Sequence, residues 1–282
     1  MGRIIDGKKI SLEIRKNLAF EVRELMSKGI HPSLSTILVG DDPASELYIK
    51  MKTRACEDMG IKSKNFHLPA DTKESELLQL IDEQNRDPAV HGILVQLPLP
   101  EHIDRNNIFN RISPIKDVDG INPVNIGNLL MGNEVLVSCT PKGIIRIFEY
   151  EGIDLKGREI VIISHSVLIG KPLAMLLLNR NATVTICHVH TKNLKKHTKN
   201  AEILIVAAGV PNLISGDMLG DNAIVIDVGI NRVNGKIVGD VDFEDVRDKV
   251  SLITPVPGGV GPMTITMLLE NTIIAAKMSF FG

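Results

Sequence analysis

A lysine in an apolar setting is the first residue of this sequence that could transfer protons. Tyr48, Met51, Lys52, Ala55 and Met59 recur at the spacing of one helix face. Lys52 therefore lies within a mostly apolar stripe, and Tyr48 precedes it by one turn. Two interpretations stay open. The lysine either snorkels, with its stem covering apolar surface, or carries a desolvated amine whose lowered pKa suits proton transfer.

Polar side chains also fall where predicted strands end. Gln96 interrupts the apolar segment 91–100, which is typical of a buried strand, and open α/β sheets bind ligands at the carboxyl ends of their strands. A structural hydrogen bond explains Gln96 equally well. Asp117 and Asp119 belong to segment 113–129, which is rich in turn-forming residues and is predicted as a loop. Both aspartates either stabilise turns or accept hydrogen bonds from a ligand.

A further segment has the placement of a dinucleotide-phosphate site. Residues 164–172 follow the strand-like segment 159–163 and open a helix, where phosphates meet helix N–H groups. Only Gly170 of the usual glycine fingerprint is present, so an ordinary strand–helix connection stays an alternative.

Cationic side chains cluster at the end of the next predicted strand. His188, His190 and Lys192 lie there, His165 lies one strand away, and no carboxylate is present. NAD sites usually have an acidic residue at this position, whereas NADP sites have cations for the 2′-phosphate. The pattern indicates either a phosphate-facing patch or a solvated loop. Because no third ligand completes the histidine pair, no metal site is predicted.

Glycines and prolines alternate in segment 255–264, directly before the last predicted helix. Pro257, Gly258 and Gly259 allow a close approach of the backbone to a ligand, or form a hinge.

The elements that must position these residues alternate between strand and helix along the chain, which favours parallel sheets. The pattern restarts near residue 140, and the later strands are apolar almost throughout. We therefore predict two α/β domains with a cleft between them, the second a Rossmann-type doubly wound parallel sheet. The first covers 1–138 and 262–282, and the second covers 139–261. The last helix, about 262–278, is expected to pack back onto the first domain.

Composition excludes several classes of protein. The 282 residues carry a net charge of −2 and include Tyr 2, Phe 7 and Trp 0, which disfavours nucleic-acid binding. No apolar stretch is long enough to span a membrane. Three widely spaced cysteines, Cys56, Cys139 and Cys187, indicate a reducing compartment, so a cytoplasmic protein is expected.

Taken together, these motifs give the chain a close resemblance to one family. The segments SELYIKMK (45–52), QLPLP (96–100), PIKDVDGINPVNIGNL (114–129), DVGIN (227–231), GDVDF (239–243) and PVPGGVGPMT (255–264) follow in order. The sequence resembles the bifunctional methylenetetrahydrofolate dehydrogenase/methenyltetrahydrofolate cyclohydrolase family over nearly its whole length.

The resemblance implies an activity and a role for each residue. A hydride would pass from 5,10-methylenetetrahydrofolate to NADP, and the methenyl product would be hydrolysed to 10-formyltetrahydrofolate. Lys52 matches the family's catalytic lysine, Gln96 its partner, Tyr48 the residue that orients folate, and Asp119 the aspartate that binds the pterin. Pro257, Gly258 and Gly259 are also implied to contact substrate. The implied cofactor contacts are Ser164, His165, Ser166, Gly170, Pro172, His188, His190, Ala208, Gly209, Ile230 and Thr264. A homodimer is implied as well.

Departures from the family pattern cluster at the cofactor. Ser164, His165 and Ser166 stand where the family usually has Gly-Arg-Ser, and Val189 stands in place of a serine. We expect NADP held by His165, His190 or Lys192, with NAD possible. The alternatives are a monofunctional cyclohydrolase and a folate- or nucleotide-binding module without turnover.

Overall fold

The structure is a computed structural model that describes residues 2–281. Strands and helices alternate over most of this range. The strands are β1 (Arg3–Ile4), β2 (Ser33–Val39), β3 (Lys62–Leu68), β4 (Gly92–Val95), β5 (Glu159–Ile163), β6 (Thr183–Cys187), β7 (Ile203–Val206), β8 (Ile224–Asp227), β9 (Asn231–Val233), β10 (Lys236–Val238) and β11 (Leu252–Ile253). The helices are α1 (Gly7–Ser27), α2 (Pro43–Met59), α3 (Glu74–Arg86), α4 (Arg105–Arg111), α5 (Pro123–Leu130), α6 (Cys139–Tyr150), α7 (Gly170–Leu178), α8 (Leu194–Thr198), α9 (Phe243–Val246) and α10 (Val260–Phe281).

The chain divides into two compact units. The six-stranded unit comprises the residues up to Leu12 and Thr140–Thr264, and the three-stranded unit comprises Glu13–Cys139 and the residues from Ile265 onward. The two structural units differ from the predicted domains at the N-terminus, because the prediction places residues 1–12 in the first domain. These residues belong to the six-stranded unit since Arg3 and Ile4 pair in parallel with Leu252 and Ile253.

The six-stranded unit is built on a parallel sheet with strand order β1-β11-β8-β7-β5-β6. The chain leaves β5 for β6 on one side and returns to β7 on the other, so the strand order reverses at β5. Such a reversal opens a crevice at the carboxyl ends of the strands, where ligands bind in open α/β sheets. The predicted doubly wound parallel sheet is confirmed.

The three-stranded unit contains a smaller parallel sheet with strand order β3-β2-β4. Every residue of β2 is buried, including the polar Ser33, Ser35 and Thr36. Residues of α10 from Ile265 onward share one core with Leu18, Val22 and Leu25 of α1. The prediction that the last helix packs onto the first domain is confirmed.

Two local predictions need correction. Segment 113–129 was expected to be a loop, but Asn122 begins helix α5, and its side-chain oxygen accepts a hydrogen bond from Val124 N at 2.9 Å. Strands β9 and β10 were not predicted, because runs of three residues are too short to show a period. Their turn, Asn234-Gly235, has positive φ at both residues (50° and 77°), and this pair is a recognisable hairpin signal in sequence.

Candidate functional site

Helix α2 carries Lys52 into the three-stranded unit. Asp42 caps the N-terminus of this helix: its Oδ2 accepts hydrogen bonds from Ser45 N at 2.8 Å and Ser45 Oγ at 2.7 Å. Ala55 and Met59 of the predicted stripe are buried, as is the neighbouring Cys56, whereas Met51 is 48% exposed. The stripe is therefore narrower than predicted. Lys52 lies at its border and is half-buried.

A hydrogen bond decides between the two interpretations of Lys52. Its Nζ donates to Gln96 Oε1 at 2.8 Å, so the amine is held inside the unit and does not snorkel into solvent. Gln96 in turn donates from Nε2 to Leu97 O at 2.7 Å and from its backbone N to Ile37 O at 2.8 Å. Strand β4 ends at Val95, so Gln96 follows the strand, contrary to the prediction that it lies inside it. The glutamine is oriented by these bonds toward the lysine.

Burial shifts the protonation of both Lys52 and Asp119 toward the uncharged form. Desolvation lowers the pKa of the Lys52 amine, and the negative charge of Asp119 opposes this only in part. Desolvation raises the pKa of the Asp119 carboxyl, and the positive charge of Lys52 opposes this only in part. An amine with a lowered pKa beside an oriented amide is suited to exchange protons with a substrate.

Asp117 and Asp119 have different roles although they are two residues apart. Asp117 is buried, and its Oδ2 accepts hydrogen bonds from Asn122 N at 2.7 Å and Asn125 Nδ2 at 2.8 Å. Burial raises the pKa of Asp117 to about 6, against these hydrogen bonds. Asp117 therefore holds the start of α5, as the turn interpretation predicted. Asp119 instead interacts electrostatically with Lys52.

Two residues of this site were missed in the sequence. Asn271 on α10 donates from Nδ2 to Val118 O and Val137 O, each at 2.8 Å, and so fixes the backbone next to Asp119. Cys139 Sγ donates to Val118 O at 3.2 Å. A buried asparagine within the apolar helix α10 is the signal that could have identified Asn271.

Tyr48 lies one turn before Lys52 on α2 and is half-buried. Its burial raises the pKa of the phenol, so the hydroxyl stays protonated at neutral pH. A protonated phenol next to Lys52 is suited to orient a ring-shaped ligand by stacking and hydrogen bonding.

In the six-stranded unit, the predicted phosphate loop lies between β5 and α7. Ser166 Oγ accepts a hydrogen bond from Ile169 N at 3.1 Å, and Lys171 N donates to Ser166 O at 3.0 Å. A side chain at Gly170 would overlap the carbonyl of Ser164, so only glycine permits this close approach. Pro172 is buried in the first turn of α7. The loop is thus a tight strand-to-helix connection at the sheet's reversal point.

Three histidines form an exposed cluster at the carboxyl ends of β5 and β6. The ring centroids of His165 and His188 are 5.1 Å apart, and those of His188 and His190 are 5.9 Å apart. His188 N donates to Thr191 Oγ1 at 2.8 Å, which shapes the turn after β6. Exposed imidazole N–H groups can donate hydrogen bonds to an anion here. Within residues 2–281, no group of histidine, cysteine or acidic side chains has the geometry to hold a metal ion.

The remaining predicted contacts lie elsewhere in the six-stranded unit, on loops and at the start of α10. Ala208 and Gly209 follow β7, and Ile230, which follows β8, is 51% exposed. Gly258 O accepts a hydrogen bond from Lys8 N at 3.1 Å, and a side chain at Gly7 would overlap Gly259 O. Thr264 Oγ1 lies 3.0 Å from Thr140 Oγ1. The predicted folate residues Pro257, Gly258 and Gly259 therefore belong to this unit, whereas Tyr48, Lys52, Gln96 and Asp119 belong to the other.

No helix among the described residues is long and apolar enough to cross a membrane.

Comparison with known proteins connects both groups of residues to one family. The family model "Tetrahydrofolate dehydrogenase/cyclohydrolase, catalytic domain" matches residues 5–119, and "Tetrahydrofolate dehydrogenase/cyclohydrolase, NAD(P)-binding domain" matches 138–280. The Bifunctional protein FolD of Moorella thermoacetica is 54% identical over 276 residues, which cover 98% of this chain and 99% of that relative.

Solved structures of the same family are also similar to this chain. The bifunctional FolD enzyme of Campylobacter jejuni is 51% identical, with a TM-score of 0.97 and 99% of each chain covered. The Trypanosoma brucei enzyme, complexed with NADP cofactor and inhibitor, is 36% identical, with a TM-score of 0.96, and the match covers 100% of this chain and 99% of that one. This chain belongs to the tetrahydrofolate dehydrogenase/cyclohydrolase family.

Proposed function

We propose that this protein oxidises 5,10-methylenetetrahydrofolate to 5,10-methenyltetrahydrofolate with NADP and then hydrolyses the product to 10-formyltetrahydrofolate. The observation that carries the proposal is the hydrogen bond from Lys52 Nζ to Gln96 Oε1, together with the lowered pKa of Lys52. Mere binding of a folate would not require a buried amine oriented in this way. The product is a formyl donor of the kind that one-carbon metabolism and purine biosynthesis consume.

In the hydrolytic reaction, Lys52 handles the protons of the attacking water. Its uncharged amine, favoured by burial, accepts a proton as water adds to the methenyl carbon, and returns a proton as the ring opens. Gln96 holds the amine in position through its Oε1. Tyr48 orients the folate, and Asp119 accepts hydrogen bonds from N–H groups of the pterin. Pro257, Gly258 and Gly259 supply further substrate contacts.

The six-stranded unit has the features of a dinucleotide site. A tight loop at Gly170 leads into α7, and the histidines at the ends of β5 and β6 suit the 2′-phosphate of NADP. NADP supplies the hydride acceptor when bound. Hydride transfer depends on positioning. The loops bearing Ser164, Ala208 and Ile230, together with Thr264 at the start of α10, provide it.

An initial-rate assay tests the function directly. The enzyme is given methylenetetrahydrofolate with NADP or NAD, and reduced cofactor and acid-stabilised methenyl product are followed by absorbance. We expect turnover with NADP in preference to NAD. Accelerated hydrolysis of added methenyltetrahydrofolate without any dehydrogenase activity would instead identify a monofunctional cyclohydrolase. Absence of both activities would leave a binding module without turnover.

Removing the charge of Asp119 is expected to shift the pH dependence of hydrolysis. The Asp119 carboxylate raises the pKa of Lys52, so Asp119→Asn lowers that pKa further. More of the amine is then uncharged at a given pH, and the acidic limb of the kcat profile moves to lower pH. The control is Glu57→Gln. Glu57 is exposed and lies on α2, the helix that bears Lys52, so this substitution should leave the acidic limb of the kcat profile unshifted. If the acidic limb of Asp119→Asn is not shifted, Lys52 is not the group that exchanges protons during hydrolysis.

Removing two cluster histidines is expected to weaken NADP binding selectively. His165→Ala combined with His190→Ala should raise the Kd for NADP by about 10–100-fold, because hydrogen bonds to a charged phosphate contribute about 1.5–3 kcal/mol. NAD, which lacks the 2′-phosphate, should bind as before. Isothermal titration calorimetry measures the Kd of both ligands, with His197→Ala as the control. Equal losses for NADP and NAD would contradict a contact with the 2′-phosphate.

We also propose a homodimer formed through the six-stranded unit. The hairpin β9–β10 exposes Val233 (38%) and Ile237 (41%), and exposed apolar side chains on a short edge hairpin favour pairing with a second copy. Sedimentation velocity should show a dimer that Val233→Asp with Ile237→Asp converts to a monomer. A monomeric wild-type protein would refute this.

The three cysteines, all free and buried, support a cytoplasmic location.

A further inference from the structure

Two buried aspartates of the six-stranded unit have no role in the chemistry described so far. Asp227 is the last residue of β8, and Asp240 follows β10 by two residues. They are 4% and 0% exposed. A buried carboxylate is costly unless its oxygens are hydrogen-bonded, so the partners of these oxygens indicate what each aspartate does.

Asp240 binds the backbone of the loop that follows β7. Its Oδ2 accepts hydrogen bonds from Ala208 N at 2.6 Å and Gly209 N at 2.9 Å. Its Oδ1 accepts one from Asn231 Nδ2 at 2.8 Å. One carboxylate thus joins the loop after β7 to the start of β9. Bonds between an ionised acceptor and backbone N–H groups are among the stronger ones in proteins.

Asp227 holds Asp240 itself. Its Oδ1 accepts hydrogen bonds from Gly229 N and Asp240 N, both at 3.0 Å, and its Oδ2 accepts one from Val241 N at 3.0 Å. The backbone N of Asp227 donates to Thr254 Oγ1 at 2.7 Å, directly before the segment with Pro257 and Gly258. The pair therefore joins the backbone after β7, β8, β10 and β11.

Two glycines make room for the carboxylates. A side chain at Gly239 would overlap the Asp227 carboxylate, and a side chain at Gly229 would overlap the Asp240 carboxylate. Gly229 and Gly239 belong to the motifs DVGIN and GDVDF. Each motif thus contributes one aspartate and the glycine that accommodates the other.

We propose that Asp227 and Asp240 are positioning residues for the nicotinamide cofactor: they hold Ala208, Gly209 and the chain around Ile230 in the conformation that binds it. This inference rests on the proposed function, because it takes those three residues as cofactor contacts. The oxygens of both aspartates are occupied by N–H donors, so the pair acts through the loops and does not touch the cofactor.

Binding of NADPH at equilibrium, followed by its fluorescence, tests the role of Asp240. Asp240→Ala removes the acceptor of Ala208 N and Gly209 N and should raise the Kd for NADPH by about 10-fold or more, as expected when buried donors lose a charged partner. Hydrolysis of methenyltetrahydrofolate without cofactor depends on Lys52 in the other unit and should stay within about twofold of wild type. Measurements near pH 8 keep Asp227, whose pKa burial raises to about 6, ionised.

A reciprocal exchange separates positioning from general support of the fold. In Asp240→Asn the side-chain oxygen can take the place of Oδ2 and accept from the two backbone N–H groups, but the new Nδ2 then faces Asn231 Nδ2, which is also a donor. We expect the Kd for NADPH to rise about 3–10-fold. Asn231→Asp in the same chain gives that Nδ2 an acceptor and should restore the Kd to within about twofold of wild type.

Each outcome has a definite meaning. Unchanged NADPH binding in folded Asp240→Ala overturns the positioning role. If Asp240→Ala does not fold, Asp240→Asn decides: weaker binding reversed by Asn231→Asp supports the proposal, and unchanged or unreversed binding overturns it. Failure of the wild-type protein to bind NADPH would instead overturn the proposed function, so the two failures are distinguishable.

Discussion

Lys52→Met is expected to lower the rate of methenyltetrahydrofolate hydrolysis by about 10²–10⁴-fold, the usual contribution of a positioned acid–base group. Methionine keeps most of the length of the side chain but has no proton to exchange and no hydrogen bond to offer Gln96. The loss should appear mainly in kcat, because the other proposed folate contacts, Tyr48 and Asp119, are unchanged.

Lys50→Met is the matched control for this prediction. Lys50 lies on the same helix, but its side chain is 75% exposed, and its ion pair with Glu46 spans 3.8 Å. Exposed ion pairs contribute little to stability, so Lys50→Met should keep wild-type hydrolysis. Stopped-flow absorbance of methenyltetrahydrofolate decay measures both variants. A Lys52→Met protein that hydrolyses its substrate at the wild-type rate would refute the assignment of Lys52.

The same variant separates the two activities. Hydride transfer to NADP requires alignment of substrate and cofactor more than proton exchange. Dehydrogenase activity of Lys52→Met should therefore fall less than hydrolysis, and methenyl product should accumulate. Equal losses of both activities would mean that the lysine positions the folate and does not exchange protons with it.

Gly120→Ala is expected to destabilise the protein by about 2–5 kcal/mol and to impair folate turnover. Gly120 has a φ of +67°, and its added Cβ would overlap the backbone of Val137 and Ser138. Backbone atoms cannot rotate away as side chains do, so the chain around Asp119 must move. Because Asp119 is the adjacent residue, its placement relative to Lys52 changes with the backbone.

Gly132→Ala separates steric overlap from backbone strain. Gly132 also has a positive φ, +86°, but a Cβ there meets nothing within 4 Å. We expect it to cost only about 1–2 kcal/mol, the penalty of the left-handed conformation. Urea unfolding gives both free energies of unfolding. Equal values for the two variants would show that the overlap at Gly120 relaxes freely.

The local pattern of the sequence determined much of this protein. Strands β5, β7 and β8 are apolar runs long enough to predict a buried parallel sheet, and Asp42-Pro43 marks the start of α2. Lys52 was identified because a charge within helical apolar spacing is conspicuous. The resemblance to the family implied a catalytic role for Lys52, because the motifs of the family are present in the same order.

Only the tertiary structure decided the features that depend on distant partners. Local pattern treats Asp117 and Asp119 alike, yet one is bonded to Asn122 and Asn125 and the other interacts with Lys52. Strand β1 has only two residues, which are too few to show a periodic pattern in the sequence. It forms because its residues pair in parallel with β11. Asp240 bonds to Ala208, 32 residues earlier in the chain. Sequence periodicity records which face of an element is buried, whereas the partner of a buried polar group is chosen by the fold as a whole.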